Sequence, residues 1–405
     1  MKKIITLSFT FVSFFLFGQN PTCDGNRYLN DIFQLDSTFG VTFGNSTTVG
    51  GTNADLKMDI YEPLGDAATK RPVIILAFGG SFVAGDRTQM HDLCRYYSKK
   101  GYVTASIDYR IYDGPVFPFP DSIDMTDVVI KAVSDMKAAV RFFREDAYTS
   151  NTYKIDTNFV FVGGVSAGAI VADHVGMLDS TDMVATFVDS IIQANGGWQG
   201  NSSTNTQYWE KVHGILNFSG ALKDASYIDA NDPPLFSVHD DGDGTVPYAG
   251  GSANIFTVPI IYMNGSYLMD QECQSAGVSS ELITIVGSNG HVSYFNTQVG
   301  QDSILDRSRD FLYPIVCAGS LGLDSEQEVA HVFNVYPNPT SSTIHIAYEG
   351  TEYFDFQIVD LQGREVINHN HLLGNQTMDL SELKSGTYII RIQSDHLEVK
   401  KLVVE

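Results

Sequence analysis

Residues 159–168 read Phe159-Val160-Phe161-Val162-Gly163-Gly164-Val165-Ser166-Ala167-Gly168. A short apolar run ends in a serine with glycine two positions to either side, and a small-residue, helix-prone segment follows it. Such a pattern reads as strand, tight turn, helix. The glycines let the backbone fold back on itself, so that the serine Oγ projects from the top of the sheet. Burying a core does not call for a polar residue flanked in this way, so Ser166 reads as a nucleophile.

Two further polar clusters follow Ser166, each just past an apolar run. Pro234-Leu235-Phe236-Ser237-Val238 leads into His239-Asp240-Asp241-Gly242-Asp243-Gly244-Thr245-Val246-Pro247, and Leu282-Ile283-Thr284-Ile285-Val286 leads into Gly287-Ser288-Asn289-Gly290-His291. The carboxyl ends of strands in an open α/β sheet are where catalytic groups collect. Three strand ends thus supply serine, acid and histidine in that chain order, the order of an α/β-hydrolase. The chemistry requires these types. A serine hydroxyl is a weak nucleophile until an imidazole takes its proton, and a carboxylate holds the imidazole's tautomer and stabilises the imidazolium. The expected triad is Ser166, Asp243 and His291. Asp240 and Asp241 are the alternatives to Asp243, which is favoured by resemblance to the family named below, where a Val-Pro pair follows the acid as Val246-Pro247 does here.

Negative charge on the substrate carbonyl needs donors already in place, each worth roughly 3–4 kcal/mol. The run Val73-Ile74-Ile75-Leu76-Ala77 ends in Phe78-Gly79-Gly80-Ser81-Phe82, whose glycines allow main-chain N–H groups close to a substrate. With the Ala167 N–H, this loop is the expected oxyanion hole.

These motifs resemble a carboxylesterase of the α/β-hydrolase superfamily, in the group related to hormone-sensitive lipase and bacterial feruloyl or acetyl esterases. In that group a His-Gly-Gly-Gly-like loop forms the oxyanion hole. The resemblance assigns the donors to Gly80 and Ser81, with Phe78 in place of the usual histidine. Ile107-Asp108-Tyr109-Arg110 and the helical stretch from Asp135 to Phe143 also match the group's framework, and the resemblance spans roughly residues 50 to 315. It implies a mostly parallel sheet flanked by helices and a serine ester hydrolase (EC 3.1.1.-) that uses no cofactor or metal and acts on a small-molecule or polysaccharide-linked ester, acetyl and feruloyl groups on plant polysaccharide among them. The alternatives are a prolyl-oligopeptidase-like serine peptidase, disfavoured because no gating domain precedes the hydrolase, and a non-catalytic surface adhesin, for which an intact triad would be a coincidence.

The carboxyl terminus has a different pattern. Ile344 and Ile346 alternate onto one face, as do Phe354, Phe356 and Ile358, and then Tyr388, Ile390 and Ile392. Period-two runs broken by Gly, Asn and Ser predict a small all-β antiparallel sandwich. Val335-Tyr336-Pro337-Asn338-Pro339, Leu361-Gln362-Gly363-Arg364-Glu365-Val366, Ser385-Gly386-Thr387-Tyr388 and the terminal Lys400-Lys401-Leu402-Val403-Val404 resemble a C-terminal type IX secretion sorting domain. That resemblance implies the type IX machinery as partner, passage through the periplasm and outer membrane, and release or attachment at the cell surface. A carbohydrate-binding sandwich is the competing reading, but both tryptophans lie elsewhere in the chain.

The basic start Met1-Lys2-Lys3 and the apolar residues 4–17 read as a signal peptide over 1–18, too short for a comfortable membrane span. The domain expectation is therefore signal peptide 1–18, hydrolase 19–320, linker 321–330 and sorting domain 331–405. A length of 405 residues and 43% hydrophobic content fit packed domains, and a net charge of −23 argues against nucleic acid and anionic lipid surfaces. Cys23, Cys94, Cys273 and Cys317 permit one or two disulfides, with a buried free thiol as the alternative at Cys94. Asp240, Asp241 and Asp243 lack the register and terminal glutamate of a calcium loop.

Two long segments, 196–209 with Trp198 and Trp209 and 111–120, read either as lids or walls of an aromatic acyl or alcohol pocket or as ordinary packing beneath a long loop. His174 lies eight residues past Ser166, about 12 Å along a continuous helix, and reads as a packed helix residue. His239 reads as a residue that orients the acidic loop.

Overall fold

Every residue of Arg71–Ala77 and Val103–Ile107 is buried, as expected of strands covered on both faces. In the computed structural model, which describes residues 23–115, 120–255, 258–318, 333–348, 353–360, 364–381, 383–393 and 397–404, they lie at the centre of an eight-stranded sheet. Its strands are β1 (Leu35–Thr47), β2 (Asn53–Pro63), β3 (Arg71–Ala77), β4 (Val103–Ile107), β5 (Ile155–Val165), β6 (Ile215–Phe218), β8 (Leu235–Asp240) and β11 (Ser280–Ile285), in the spatial order β1-β2-β4-β3-β5-β6-β8-β11. Pairing is parallel from β4 through β11 and antiparallel at β1 and β2. The chain leaves β3, adds β4 on one side and crosses back to β5 on the other. This reversal opens a crevice at the carboxyl ends of β3 and β5.

Among the described residues six α-helices accompany the sheet: α1 (His91–Ser98), α2 (Ser122–Tyr148), α3 (Ala167–Met177), α4 (Thr186–Ala194), α5 (Ser266–Ala276) and α6 (Gln298–Ala318). Helix α2 begins in a capping box, in which the Asp121 carboxylate accepts from the N–H groups of Ile123 and Asp124 while the Asp124 carboxylate accepts from the Asp121 N–H. Between β8 and α5 the hairpin β9 (Gly250–Ile255) and β10 (Val258–Gly265) joins β7 (Ala221–Leu222) in a small antiparallel sheet beside the main one.

The C-terminal region forms two antiparallel sheets. One contains β12 (Asn334–Tyr336), β13 (Thr343–Ala347) and β16 (Gln376–Asp379); the other contains β14 (Tyr353–Val359), β15 (Glu365–Leu373), β17 (Gly386–Gln393) and β18 (Leu397–Val404). Their shared core holds Ile344, Ile346, Phe354, Phe356, Ile358, Ile390 and Ile392, with Tyr388 packed at its margin. These are the residues whose alternation predicts the sandwich. Among the described residues, none of this core belongs to the core of the larger unit.

A disulfide joins Cys23 to Cys317, tying the segment before β1 to the end of α6, while Cys94 and Cys273 are buried free thiols. The expected signal peptide (1–18) and linker (321–330) lie outside the described residues. Among the described residues no helix is long and apolar enough to cross a membrane.

Candidate active site

Ser166 stands between β5 and α3 with φ 55° and ψ −118°, a conformation that non-glycine residues adopt at a cost of roughly 1–3 kcal/mol. Its surroundings enforce that geometry. A side chain at Gly164 would lie 2.3 Å from the Gly168 carbonyl carbon, and one at Gly168 would lie 2.1 Å from the Ala77 carbonyl oxygen. The first turn of α3 can therefore press against the ends of β5 and β3 only with glycine at both positions. The Ser166 N–H donates to the Phe218 carbonyl at 2.8 Å, which fixes the turn to β6.

The two other strand ends converge on the serine. Ser166 Oγ is 2.7 Å from His291 Nε2, and His291 Nδ1 is 2.6 Å from Asp243 Oδ2. In the neutral imidazole this arrangement has Nδ1–H donating to Asp243 and Nε2 accepting from the serine hydroxyl. The Asp243 side chain is fully buried. Burial opposes its charge, yet hydrogen bonds with His239 and His291, the charge of His291 and the Thr245 N–H together hold the carboxyl down at about 2. The other acids have separate tasks. Asp240 accepts from the Ser293 N–H at 3.0 Å and from its hydroxyl, anchoring the turn that carries His291, and Asp241 accepts from the Gly287 N–H at 2.9 Å.

The loop after β3 lies against the same turn. Gly80, Ser81 and Phe82 all have positive φ, at 132°, 53° and 62°. Among the described residues the N–H groups of Gly80, Ser81 and Ala167 have no hydrogen-bond acceptor. The loop is braced from beneath by Tyr109. Its ring stacks on Phe78 at 4.3 Å between centroids, and its hydroxyl donates to the Phe78 carbonyl at 2.7 Å. Phenylalanine at position 78 thus gives Tyr109 an aromatic face to pack on. This support joins the two stretches that the sequence offers separately, Phe78–Phe82 and Ile107–Arg110.

Ser166, Ser81 and Ala167 border a pocket with mainly aliphatic walls. Ile130 of α2, Ile170 of α3, Val188 of α4, and Ala253, Ile261 and Met263 of the β9–β10 hairpin supply them, and His174, Lys223 and Tyr227 add polar atoms. The expectation that segments 196–209 and 111–120 wall this pocket is not met among the described residues. Trp198 borders a smaller hollow between α2 and α4, and Trp209 lies under the Arg144 guanidinium at 4.3 Å. Arg110 and Arg141 bind Ser202 Oγ, Ser203 Oγ and the Gln199 carbonyl, strapping this segment across α2. Residues 116–119 are outside the described residues.

His174 is a packed helix residue, as expected. Its Nδ1–H donates to the Ile170 carbonyl at 2.7 Å and its Nε2 accepts from the Lys223 N–H at 3.1 Å. His239 does orient the acidic loop, with Nε2 at 3.2 Å from the Val246 carbonyl oxygen, but it also lies 3.3 Å from Asp243 Oδ2. Sequence reasoning missed that second contact. The available signal was a set of polar residues, Asn217, Ser237 and His239, inside otherwise apolar strands.

Residues 58–223 match the BD-FAE family model, and residues 334–405 match that of the secretion system C-terminal sorting domain. Solved structures of similar fold include an esterase of Thermogutta terrifontis phosphoramylated by tabun, 20% identical with a TM-score of 0.49, the match covering 72% of this chain and 97% of that one. A propionate-bound esterase structure from the same organism is 19% identical, with a TM-score of 0.47 and coverage of 73% and 97%. A truncated carbohydrate esterase from gut microbiota is 18% identical, with a TM-score of 0.47 and coverage of 69% and 98%. No curated protein sequence matches the chain.

Proposed function

We propose that this chain, an esterase-type α/β-hydrolase ending in a type IX secretion sorting domain, cleaves neutral carboxylic esters outside the cell through a Ser166–His291–Asp243 triad. The observation that carries this reading is the continuous hydrogen-bonded path from Ser166 Oγ through both nitrogens of His291 to Asp243. Ser166 attacks the ester carbonyl while His291 Nε2 takes its proton. The oxyanion is received by the N–H groups of Gly80, Ser81 and Ala167. His291 returns the proton to the departing alcohol, and a water molecule deprotonated by the same nitrogen releases the acid from the acyl-enzyme. Asp243 stays ionised and keeps Nδ1 protonated throughout. The aliphatic pocket takes an apolar group of the ester, and the charge of −23 favours uncharged substrates over anionic ones. Signal peptide 1–18 and sorting domain 331–405 direct the hydrolase, 19–320, through the periplasm and out of the cell.

Hydrolysis of p-nitrophenyl esters and labelling by a fluorophosphonate test the reading on purified full-length protein. Ser166→Ala and His291→Ala should abolish both signals in folded protein. Asp243→Asn should lower kcat by about 10⁴, the precedent for the wrong imidazole tautomer in a serine protease. Wild-type turnover by Ser166→Ala would overturn the mechanism, and a wild-type protein that neither labels nor turns over would favour the adhesin.

A further inference from the structure

The acid of the proposed triad has more than one histidine beside it. Asp243 Oδ1 accepts from the N–H groups of Thr245 at 2.7 Å and Val246 at 3.2 Å. Asp243 Oδ2 faces His291 Nδ1 at 2.6 Å and His239 Nε2 at 3.3 Å. The His239 side chain is fully buried, and behind it lies a chain of buried polar groups. His239 Nδ1 is 2.8 Å from Ser266 Oγ, and Asn217 Nδ2 is 3.2 Å from both Ser266 Oγ and Ser237 Oγ. Asn217, Ser237, His239 and Ser266 are each no more than 1% exposed.

The direction of every bond in this chain is determined. The Gly220 N–H donates to Asn217 Oδ1 at 2.6 Å, so the amide nitrogen of Asn217 must face Ser266 and Ser237. Ser266 Oγ accepts from that nitrogen, which leaves its own hydrogen for His239 Nδ1. His239 Nε2 lies between two acceptors, the Val246 carbonyl oxygen at 3.2 Å and Asp243 Oδ2, so it must carry the ring proton. Successive donors therefore run Asn217, Ser266 and His239, whose Nε2–H donates to the Val246 carbonyl oxygen at 3.2 Å with the Asp243 carboxylate beside it at 3.3 Å. Apolar residues would fill this part of the core without the desolvation cost of four polar side chains, so the network calls for another explanation.

Resting on the proposed triad, we infer that His239 is a positioning residue for catalysis: held as its Nε2–H tautomer by Ser266 and Asn217, it fixes the rotation of the Asp243 carboxylate and keeps Oδ2 aimed at His291. It touches neither substrate nor Ser166 and acts through Asp243 and the loop that carries it, whose Val246 carbonyl it also holds. Its loss should therefore lower kcat and leave substrate binding unchanged.

The test compares His239→Leu, which keeps bulk without a donor, with His239→Gln, whose amide nitrogen can stand where Nε2 stood. Steady-state kinetics on a p-nitrophenyl ester should give His239→Leu a kcat roughly 10- to 100-fold low, the loss of one hydrogen bond to a charged group. KM should stay within about twofold. His239→Gln should recover most of the rate, and Ser266→Ala should fall between them and add nothing further in the Leu background. In proton NMR the low-field resonance of the His291–Asp243 hydrogen bond should shift in His239→Leu and persist in His239→Gln. Should His239→Leu fail to fold, Ser266→Ala carries the test by the same fall in kcat at constant KM. Wild-type kcat in folded His239→Leu, or in Ser266→Ala alone, would overturn the inference. So would equal losses in His239→Leu and His239→Gln, since those would mark a packing role. Because Ser166→Ala is measured alongside, a failed triad shows as turnover in that variant and stays distinct from a failed role for His239.

Discussion

His174 sits in the wall of the pocket with both ring nitrogens occupied, Nδ1 donating to Ile170 and Nε2 accepting from Lys223. Burial, with the nearby charge of Lys223, pushes its pKa down to about 4 against the donated backbone bond. Between about 4 and an unfolded value of about 6.5 the unfolded chain binds the additional proton, so acid favours unfolding. The stability that neutral His174 provides is complete above about pH 6.5 and lost by about pH 4. Urea denaturation at pH 7 and pH 4.5 should therefore show wild type losing about 2–3 kcal/mol more than His174→Gln. Equal losses in the two proteins would mean that the imidazole is not held neutral. The distance between His174 and a catalytic role is visible in the sequence as eight residues of helix. The partners that quiet it come from β5's neighbouring helix and the segment after β7, and only tertiary structure brings the second of these to it.

The elements differ in how openly the sequence declares them. The turn at Ser166 was legible because the local chain must satisfy it alone: Gly164 and Gly168 are required within five residues of each other. The ends of β8 and β11 were legible for a similar reason, since apolar runs stop abruptly at polar clusters. The pocket wall was not. The hairpin β9–β10 is rich in small and polar residues, with Gly250, Gly251, Ser252 and Asn254 in its first strand, and its pattern reads as loop. Segment 196–209 carries the tryptophans and looks like a wall, but Arg110, Arg141 and Arg144, far earlier in the chain, hold it elsewhere. Local pattern contains no record of such partners. The hairpin can be tested directly. Ala253 pairs across it with Ile261, and both line the pocket. Ala253→Phe should narrow the pocket, so that kcat/KM for a hexanoyl ester falls roughly tenfold or more relative to the acetyl ester, the discrimination available from one or two excluded methylenes. An unchanged chain-length profile would move the acyl group out of this pocket.

At the scale of the molecule, two cores with no residue in common imply that the hydrolase can stand without the sandwich. Deleting residues 330–405 should leave ester hydrolysis in vitro unchanged within about twofold, and in the native host the truncated protein should accumulate in the periplasm. Lost activity would place the boundary elsewhere, and normal export would contradict the sorting role. The sandwich was legible from its alternation alone, whereas the cysteine pairing was not, because three complete pairings satisfy the same four positions. Folding chose Cys23–Cys317 by bringing their Cα atoms to 5.8 Å across 294 positions of sequence. That bond makes the hydrolase a closed covalent loop. A protease that cuts once anywhere between residues 23 and 317 opens the loop into a single linear molecule and releases no fragment. A nicked enzyme should therefore migrate as one species without reductant and as two with it, and the two halves of its sheet stay tethered while the noncovalent core decides whether the active site survives.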